Sequence, residues 1–245
     1  MSNLPNDDKP ARDADYWAQP VTTLQMAAMP AEAINLNVQG RQLTGPLRGF
    51  GQLWQKSYSV SLPGADVKPA EVIQVWKENF PKFWPAGNRF YAPLASIAPG
   101  EVVLLNLAAP GGMQLSTGIM VIYADDVSFS FMTPQGHMFA GMITFSAQTE
   151  DEVTVAQIQA LIRAGDPLYE LGCRVGIVHK LEDRFWQGTL WNLAAAFGVT
   201  GVVQQTTVCI DPRLQWAEVR NIWHNAAIRS GLYTPVRLLR RWWRR

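Results

Sequence analysis

Apolar and polar residues alternate along the middle of the chain in a way that predicts an antiparallel meander. The three alternating runs are Gln114 to Tyr123, Val127 to Met132 and His137 to Ser146. Asp125-Asp126 and Pro134-Gln135-Gly136 separate them, and these residue types favour tight turns. In the last two runs, apolar residues recur at every second position, as they do in a strand with one buried face. The pattern therefore predicts a sheet whose apolar face needs a covering element.

Helical spacing predicts that cover after the meander. Asp166 and Pro167 suit the N-cap and first position of a helix, and apolar residues follow at spacings of three and four until Gly198 ends the helix after Phe197. A shorter helix is predicted from Pro69, ended by Pro81 and Pro85. A further helix is predicted between Thr149 and Gly165, because acidic residues there precede an apolar stripe. The members of that stripe are Val155, Ile158, Leu161 and Ile162.

Three more runs predict strands that extend the sheet: Gln52 to Leu62, Phe90 to Ile97, and Glu101 to Ala108. Beyond the long helix, Val199 to Ile210 is predicted to form a short strand or an extended tail. Asp211-Pro212 is then predicted to start a helix that packs on the body through one apolar face. The members of that face are Leu214, Trp216, Val219, Trp223 and Ala227.

This order of elements resembles the helix-grip fold of the START and Bet v 1-like (SRPBCC) superfamily. The run GHMFAGMITFSAQ, followed by an amphipathic segment, looks most like bacterial domains of unknown function with this grip. The resemblance covers roughly Gln52 to Gly198 and implies an α+β fold, in which a curved antiparallel sheet wraps around a long C-terminal helix. We expect residues 51–198 to form this domain, residues 1–50 to be a partly flexible extension, and residues 199–245 to carry an amphipathic helix and a basic Trp/Arg tail.

The resemblance also implies an apolar cavity between the sheet and the long helix. We therefore expect the protein to bind a hydrophobic small molecule or a lipid there, without catalysing a reaction. The chain has more large side chains than one seam of a small sheet needs, and such residues can line a ligand pocket. The expected lining consists of Tyr58, Trp76, Phe80, Phe83, Tyr91, Phe129, Phe131, Phe139 and Met142. Plain core packing is the competing interpretation for each of them.

A second hypothesis is a cyclase-like or hydrolase-like enzyme that uses an acid-base pair. The candidates are His137, at the start of a predicted strand, with Asp125 or Asp126 across the sheet. The chain has no GxSxG motif, phosphate-binding loop or histidine spacing typical of metal ligands, so we expect neither a metal nor a cofactor. Its two cysteines, Cys173 and Cys209, do not indicate a disulfide framework.

A third hypothesis concerns the C-terminal sequence RLLRRWWRR, whose arginines and tryptophans suit an anionic membrane surface. The expected contacts are Arg240, Arg241, Trp242, Trp243 and Arg244, and in this case the protein would recruit a membrane or a partner. A formal net charge of +1 gives no general attraction to nucleic acid, which makes it an unlikely partner. Because the chain shows neither a signal peptide nor an apolar run long enough to span a membrane, we expect a cytoplasmic protein, which under this third hypothesis is peripheral to the inner face of the membrane.

Overall fold

The computed structural model describes residues 14–26, 33, 35–91, 97–109 and 114–233. Eight strands form one antiparallel sheet in the order β2-β3-β4-β5-β6-β7-β1-β8. The strands are β1 (Leu53–Ser61), β2 (Arg89–Tyr91), β3 (Val102–Ala108), β4 (Gln114–Ala124), β5 (Ser128–Met132), β6 (Phe139–Glu150), β7 (Val153–Ala164) and β8 (Gln204–Asp211). The predicted meander is confirmed as β4, β5 and β6. Of the strand predicted from Phe90 to Ile97, residues 92–96 lie outside the described residues.

Helices cover one face of this sheet. They are α1 (Pro69–Asn79), α2 (Pro167–Arg174) and α3 (Ile177–Ala196). Asp166 caps α2 as predicted, because its carboxylate accepts hydrogen bonds from the backbone N–H groups of Leu168 and Tyr169. The predicted single helix is nevertheless two helices. Gly176 has a φ of +76°, a left-handed conformation that turns the chain between α2 and α3.

The prediction of a helix between Thr149 and Gly165 is wrong. This segment is β7, which pairs with β6 over its whole length, from Phe139↔Ala164 to Glu150↔Val153. Asp151 and Glu152 form the tight turn with φ values of 46° and 63°, a conformation more often given to Asn and Gly. The alternation Ala156, Ile158, Ala160, Ile162 and Ala164, all buried, is the strand signal, and it competed with the helical spacing of the larger residues.

The helix predicted from Asp211 is also wrong at its start. Asp211 belongs to β8, whose pairing with β1 adds an edge strand to the sheet. A 3-10 helix follows at Trp216–His224, and an α-helix covers residues 226–233. The expected apolar face is not buried, since Trp216 and Trp223 are 68% and 79% exposed. Three further 3-10 turns of the described residues lie at Ala14–Tyr16, Pro46–Arg48 and Phe80–Phe83.

The sheet has a separate layer on each face. On the helix side, side chains from β1, β3, β4, β5 and β6 meet α1 and α3 in the largest hydrophobic cluster. On the opposite side, Leu24 and Val38 from the N-terminal part pack against Leu104 and Met120. The C-terminal helix joins this outer layer, because the Asn37 amide donates to the carbonyl of Ser116 and the Ser116 N–H donates to the Ser230 hydroxyl. The ligand cavity expected from the sequence would lie on the other face of the sheet, between the strands and the helices.

Candidate functional site

Aromatic side chains fill the middle of the interface between the sheet and the helices. Phe80 lies at its centre, with ring centroids of Phe129, Phe131 and Phe145 at 5.5, 5.4 and 5.1 Å. Six residues predicted to line a cavity belong to this one buried cluster: Tyr58, Trp76, Phe80, Phe83, Phe129 and Phe131. All six side chains are buried, and the rings of Trp76, Phe80, Phe129 and Phe131 contact other rings of the cluster, so these positions form a packed core.

Two other residues predicted to line the cavity face the wrong side of the sheet. Tyr91 packs on the outer layer, and its hydroxyl accepts a hydrogen bond from the Asn106 amide at 3.0 Å. Met142 lies opposite Leu161 and next to Ile143, which faces the helices, so alternation turns Met142 outward. Phe139 is on the helix side, where its ring stacks on His179 with a centroid distance of 6.2 Å.

The predicted acid-base pair is not brought together. The Asp125 carboxylate lies in the β4–β5 turn and accepts hydrogen bonds from the N–H groups of Val127 and Ser128 at 2.9 and 2.7 Å, beside Asp126. His137 lies beyond the other end of β5, since Ser128 pairs with Ser146 and Met132 with Met142. His137 is buried, and burial lowers its pKa to about 4. The His137 side chain therefore stays neutral near pH 7, and its role is structural.

An open groove lies at one end of the sheet–helix interface. It has a volume of about 360 Å³ and is lined by Gln52, Trp54, Cys173, Arg174 and His179. These residues come from the start of β1, the end of α2 and the start of α3. The rings of Trp54 and His179 meet edge to face with centroids 5.3 Å apart. The groove thus offers two aromatic surfaces together with amide, thiol and guanidinium groups.

A buried cluster of charged side chains lies next to the groove and joins β1 to α3. The Lys56 ammonium is 2.8 Å from a Glu182 oxygen and 2.7 Å from an Asp183 oxygen. The Tyr58 hydroxyl donates to the same Asp183 oxygen at 2.7 Å. Because Trp54, Lys56 and Tyr58 alternate along β1, all three side chains project toward the helix. The cluster fixes the start of α3 over the sheet.

The positive and negative side chains of this cluster stabilise each other in their charged forms. Burial by itself would lower the pKa of Lys56, but the charge of Glu182 and the hydrogen bond to Asp183 outweigh it and raise the pKa. Burial would likewise raise the pKa of Asp183, and the hydrogen bonds from Lys56 and Tyr58 reverse that and lower it. Lys56 and Asp183 are therefore both charged near pH 7.

His179 connects the charged cluster to the groove. Its Nδ1 atom is 3.8 Å from a Glu182 oxygen, too far for a hydrogen bond, and is buried with no hydrogen-bond partner among the described residues. The same Glu182 oxygen is 2.8 Å from the Lys56 ammonium but lacks the angle of a hydrogen bond. Burial and the nearby charges of Glu170 and Glu182 raise the pKa of Cys173 to about 12, so its thiol stays protonated near pH 7.

The sequence contained a signal for this site that the prediction did not use. Trp54, Lys56 and Tyr58 form a polar and aromatic stripe on one face of a strand, and His179, Glu182 and Asp183 have the i, i+3, i+4 spacing of one helix face. Within the described residues, no group of three or more His, Cys, Asp or Glu side chains could hold a metal ion. The expected membrane contacts Arg240, Arg241, Trp242, Trp243 and Arg244 lie outside the described ranges.

The sheet curves around a long helix near the end of the domain, and a groove opens where helix and sheet separate. This arrangement defines a helix-grip protein. The family can also be named. The chain belongs to the family described as Domain of unknown function (DUF1990), whose model matches residues 70–203. The match includes Cys173, Arg174 and His179 of the groove, while Gln52 and Trp54 on β1 precede it.

Solved structures with a similar chain course include three of different origin. Protein Ms6760 from Mycobacterium smegmatis is 12% identical, with a TM-score of 0.41, over 58% of this chain and 89% of that one. The di-domain ARO/CYC StfQ of the steffimycin biosynthetic pathway is 13% identical, with a TM-score of 0.45, over 60% and 50%. Major latex-like protein 151 from Panax ginseng is 14% identical, with a TM-score of 0.37, over 55% and 99%. No curated protein matches the chain.

None of the helices in the described part of the chain is both long and apolar enough to span a bilayer.

Proposed function

We propose that this protein binds a small, mainly apolar molecule with a polar group at one end in the groove between Trp54 and His179, at the end of the sheet–helix interface. The observation that carries the proposal is the contrast between this groove and the packed aromatic middle. Its volume of about 360 Å³ is within the range of small-molecule pockets, roughly 300–1,000 Å³. The proposed site lies at a different place along the helix from the cavity that the sequence predicts.

The lining indicates which molecules fit. Trp54 and His179 offer ring faces and edges, which favour a flat ring system. Gln52 and Arg174 supply N–H donors, and Arg174 is bound to Glu170 only through Nε among the described residues. A planar molecule that carries a carbonyl or an acidic group therefore suits the site best.

A fluorescence titration with 8-anilinonaphthalene-1-sulfonate tests this proposal, because the dye combines flat rings with an anionic group. Trp54→Ala should weaken dye binding at least about tenfold, which corresponds to roughly 1.4 kcal/mol for one lost ring contact. Trp191→Ala is the matched control, since Trp191 is half exposed on α3 and lies outside the groove. We expect it to bind the dye within about twofold of wild type. Equal weakening by both substitutions, or by neither, would contradict the proposal.

A second candidate function is acid-base catalysis on the bound molecule by His179, with Glu182 behind it. The specific observation is the 3.8 Å separation of His179 Nδ1 and the Glu182 carboxylate at the groove wall. At this separation a proton would pass between the two groups through one bridging water, or after the pair closes to hydrogen-bond distance around a bound molecule. Untargeted mass spectrometry of a metabolite extract should reveal a compound consumed by wild type and spared by His179→Gln. Identical profiles for the two proteins would rule out this second function.

A further inference from the structure

The bend between α2 and α3 presents an apolar surface to solvent. We call this surface the elbow. Its five aliphatic residues have exposed fractions of 43% to 59%: Leu168, Leu171, Val175, Ile177 and Leu181. On a soluble monomer, single exposed aliphatic residues are ordinary, but a contiguous set indicates a binding surface. The elbow is therefore a surface that needs a partner.

The two helices are built so that these residues share one side. Leu168, Leu171 and Val175 follow the three-and-four spacing of a helix face, and Ile177 and Leu181 lie one turn apart at the start of α3. The opposite side of α2 buries Tyr169 and Cys173 against the sheet. Gly172 lets α3 approach closely, since a Cβ there would lie 2.7 Å from Val178. The aliphatic face therefore cannot turn inward without separating α2 from α3.

The charges around the elbow are of one sign. The exposed charged residues between positions 167 and 184 are Arg174, Lys180 and Arg184. The acids of the same segment are turned inward: Glu170 is buried, and Glu182 and Asp183 face Lys56. The three bases and three acids of this segment balance in number, and Arg174 is paired with Glu170 at 2.9 Å, so the positive character belongs to the exposed surface of the elbow and not to the segment as a whole.

We propose that the elbow docks on an anionic membrane surface. Aliphatic residues flanked by exposed arginine and lysine, with no exposed acid, suit the boundary between acyl chains and negatively charged head groups. A groove wall made by Cys173, Arg174 and His179 would then lie close to the membrane. This proposal goes beyond small-molecule binding and does not depend on it, because it rests on exposure and charge alone.

Vesicle co-sedimentation of the full chain tests the proposal. The probe is vesicles of phosphatidylcholine, with or without about one third phosphatidylserine, in low salt. We expect binding to the anionic vesicles only, and weaker binding as salt increases. The double substitution Leu171→Gln and Val175→Gln should reduce the bound fraction at least about fivefold.

The matched control changes the same residue types elsewhere on the surface. Leu232→Gln with Val202→Gln alters two side chains that are 75% and 84% exposed, and should leave binding within about 1.5-fold of wild type. Wild-type levels of binding by the elbow variant would overturn the proposal and leave the Arg/Trp tail as the membrane contact. Failure of wild type to bind anionic vesicles would also overturn it, as would a wild-type dimer in solution that the elbow variant dissociates. None of these outcomes changes the dye titration of the groove.

Discussion

Aromatic rings fill one half of the interface between the sheet and its helices, whereas a groove opens at the other half. In the filled half, β5 and β6 direct Phe129, Phe131 and Phe145 at Trp76 and Phe80. In the open half, β7 presents Ala160, Ile162 and Ala164 to α2 and the start of α3. The helix-grip arrangement is common to both halves. The difference teaches that side-chain volume, strand by strand, decides how completely each part of the interface between sheet and helices is filled.

The largest expected effect on stability comes from removing one aromatic side chain from the filled half of the interface. Phe80→Ala should lower the free energy of unfolding by about 3–5 kcal/mol, because the Phe80 ring is fully buried among five others and its removal leaves a cavity. Phe139→Ala, beside the groove, should cost at least about 1 kcal/mol less, since solvent and mobile side chains can enter the space. Urea denaturation measures both. Equal costs would show that the two halves are packed alike.

The next effect concerns the pH dependence of stability at the groove end. His137 has a pKa of about 4 when folded and an ordinary value near 6.5 when unfolded, because burial disfavours its charged form. As the pH falls from 6.5 to 4, the unfolded chain takes up a proton that the folded chain does not. Stability should therefore fall by about 3 kcal/mol in that window, at ~1.4 kcal/mol for each pKa unit.

His137→Asn provides the comparison for this measurement. The backbone N–H of Phe139 lies 3.1 Å from His137 Nδ1, and an asparagine oxygen can accept the same hydrogen bond without titrating. Urea denaturation between pH 7 and pH 4 should give a shallower dependence for the variant by most of that difference. The same slope in both proteins would assign the acid sensitivity to other groups.

A smaller effect is expected from the charged cluster at the boundary of the two halves. Lys56→Met leaves Glu182 and Asp183 without their cation and should destabilise the fold by about 2 kcal/mol. This is below the 3–5 kcal/mol typical of a fully buried pair, because the Asp183 side chain is 25% exposed and keeps the Tyr58 hydrogen bond. Adding Glu182→Gln should recover part of the loss. If the second substitution made the protein still less stable, the ion pair would not be the reason for the first effect.

The contribution of the charged cluster to stability is lost at both high and low pH, and a different residue sets each limit. The raised pKa of Lys56 means that its contribution is complete below the ordinary lysine value of about 10.4 and is lost as the pH rises through the raised value. The lowered pKa of Asp183 means that its contribution is complete above about pH 3.9 and is lost as the pH falls through the lowered value. Between these limits, the cluster should hold α3 on β1 without change.

Much of the fold could be predicted from local patterns. Alternation identified β1 and the meander, and Asp166-Pro167 and Pro69 marked helix starts. Segment 153–164 was ambiguous, because its period-two and helical spacings both place apolar residues on one face. Only the pairing with β6, which is a tertiary interaction, makes this segment a strand.

The candidate site was harder to predict, for a different physical reason. Aromatic residues that fill a core and those that line a cavity have the same spacing along a strand, and only the distance between sheet and helix separates the two cases. The groove also joins Trp54 to His179 across more than half of the chain, and no local pattern contains that contact. The alternating stripe Trp54, Lys56, Tyr58 was visible in the sequence, but its partners were not.

The most direct test of the ligand site is a crystal structure of the protein soaked with a set of small aromatic carboxylic acids. We expect electron density for a bound acid between Trp54 and His179, with its carboxylate near Arg174 or Gln52 and the rings around Phe80 in place. Density for the acid among Phe80, Phe129 and Phe145, or an empty groove at saturating concentrations of every acid, would contradict the account.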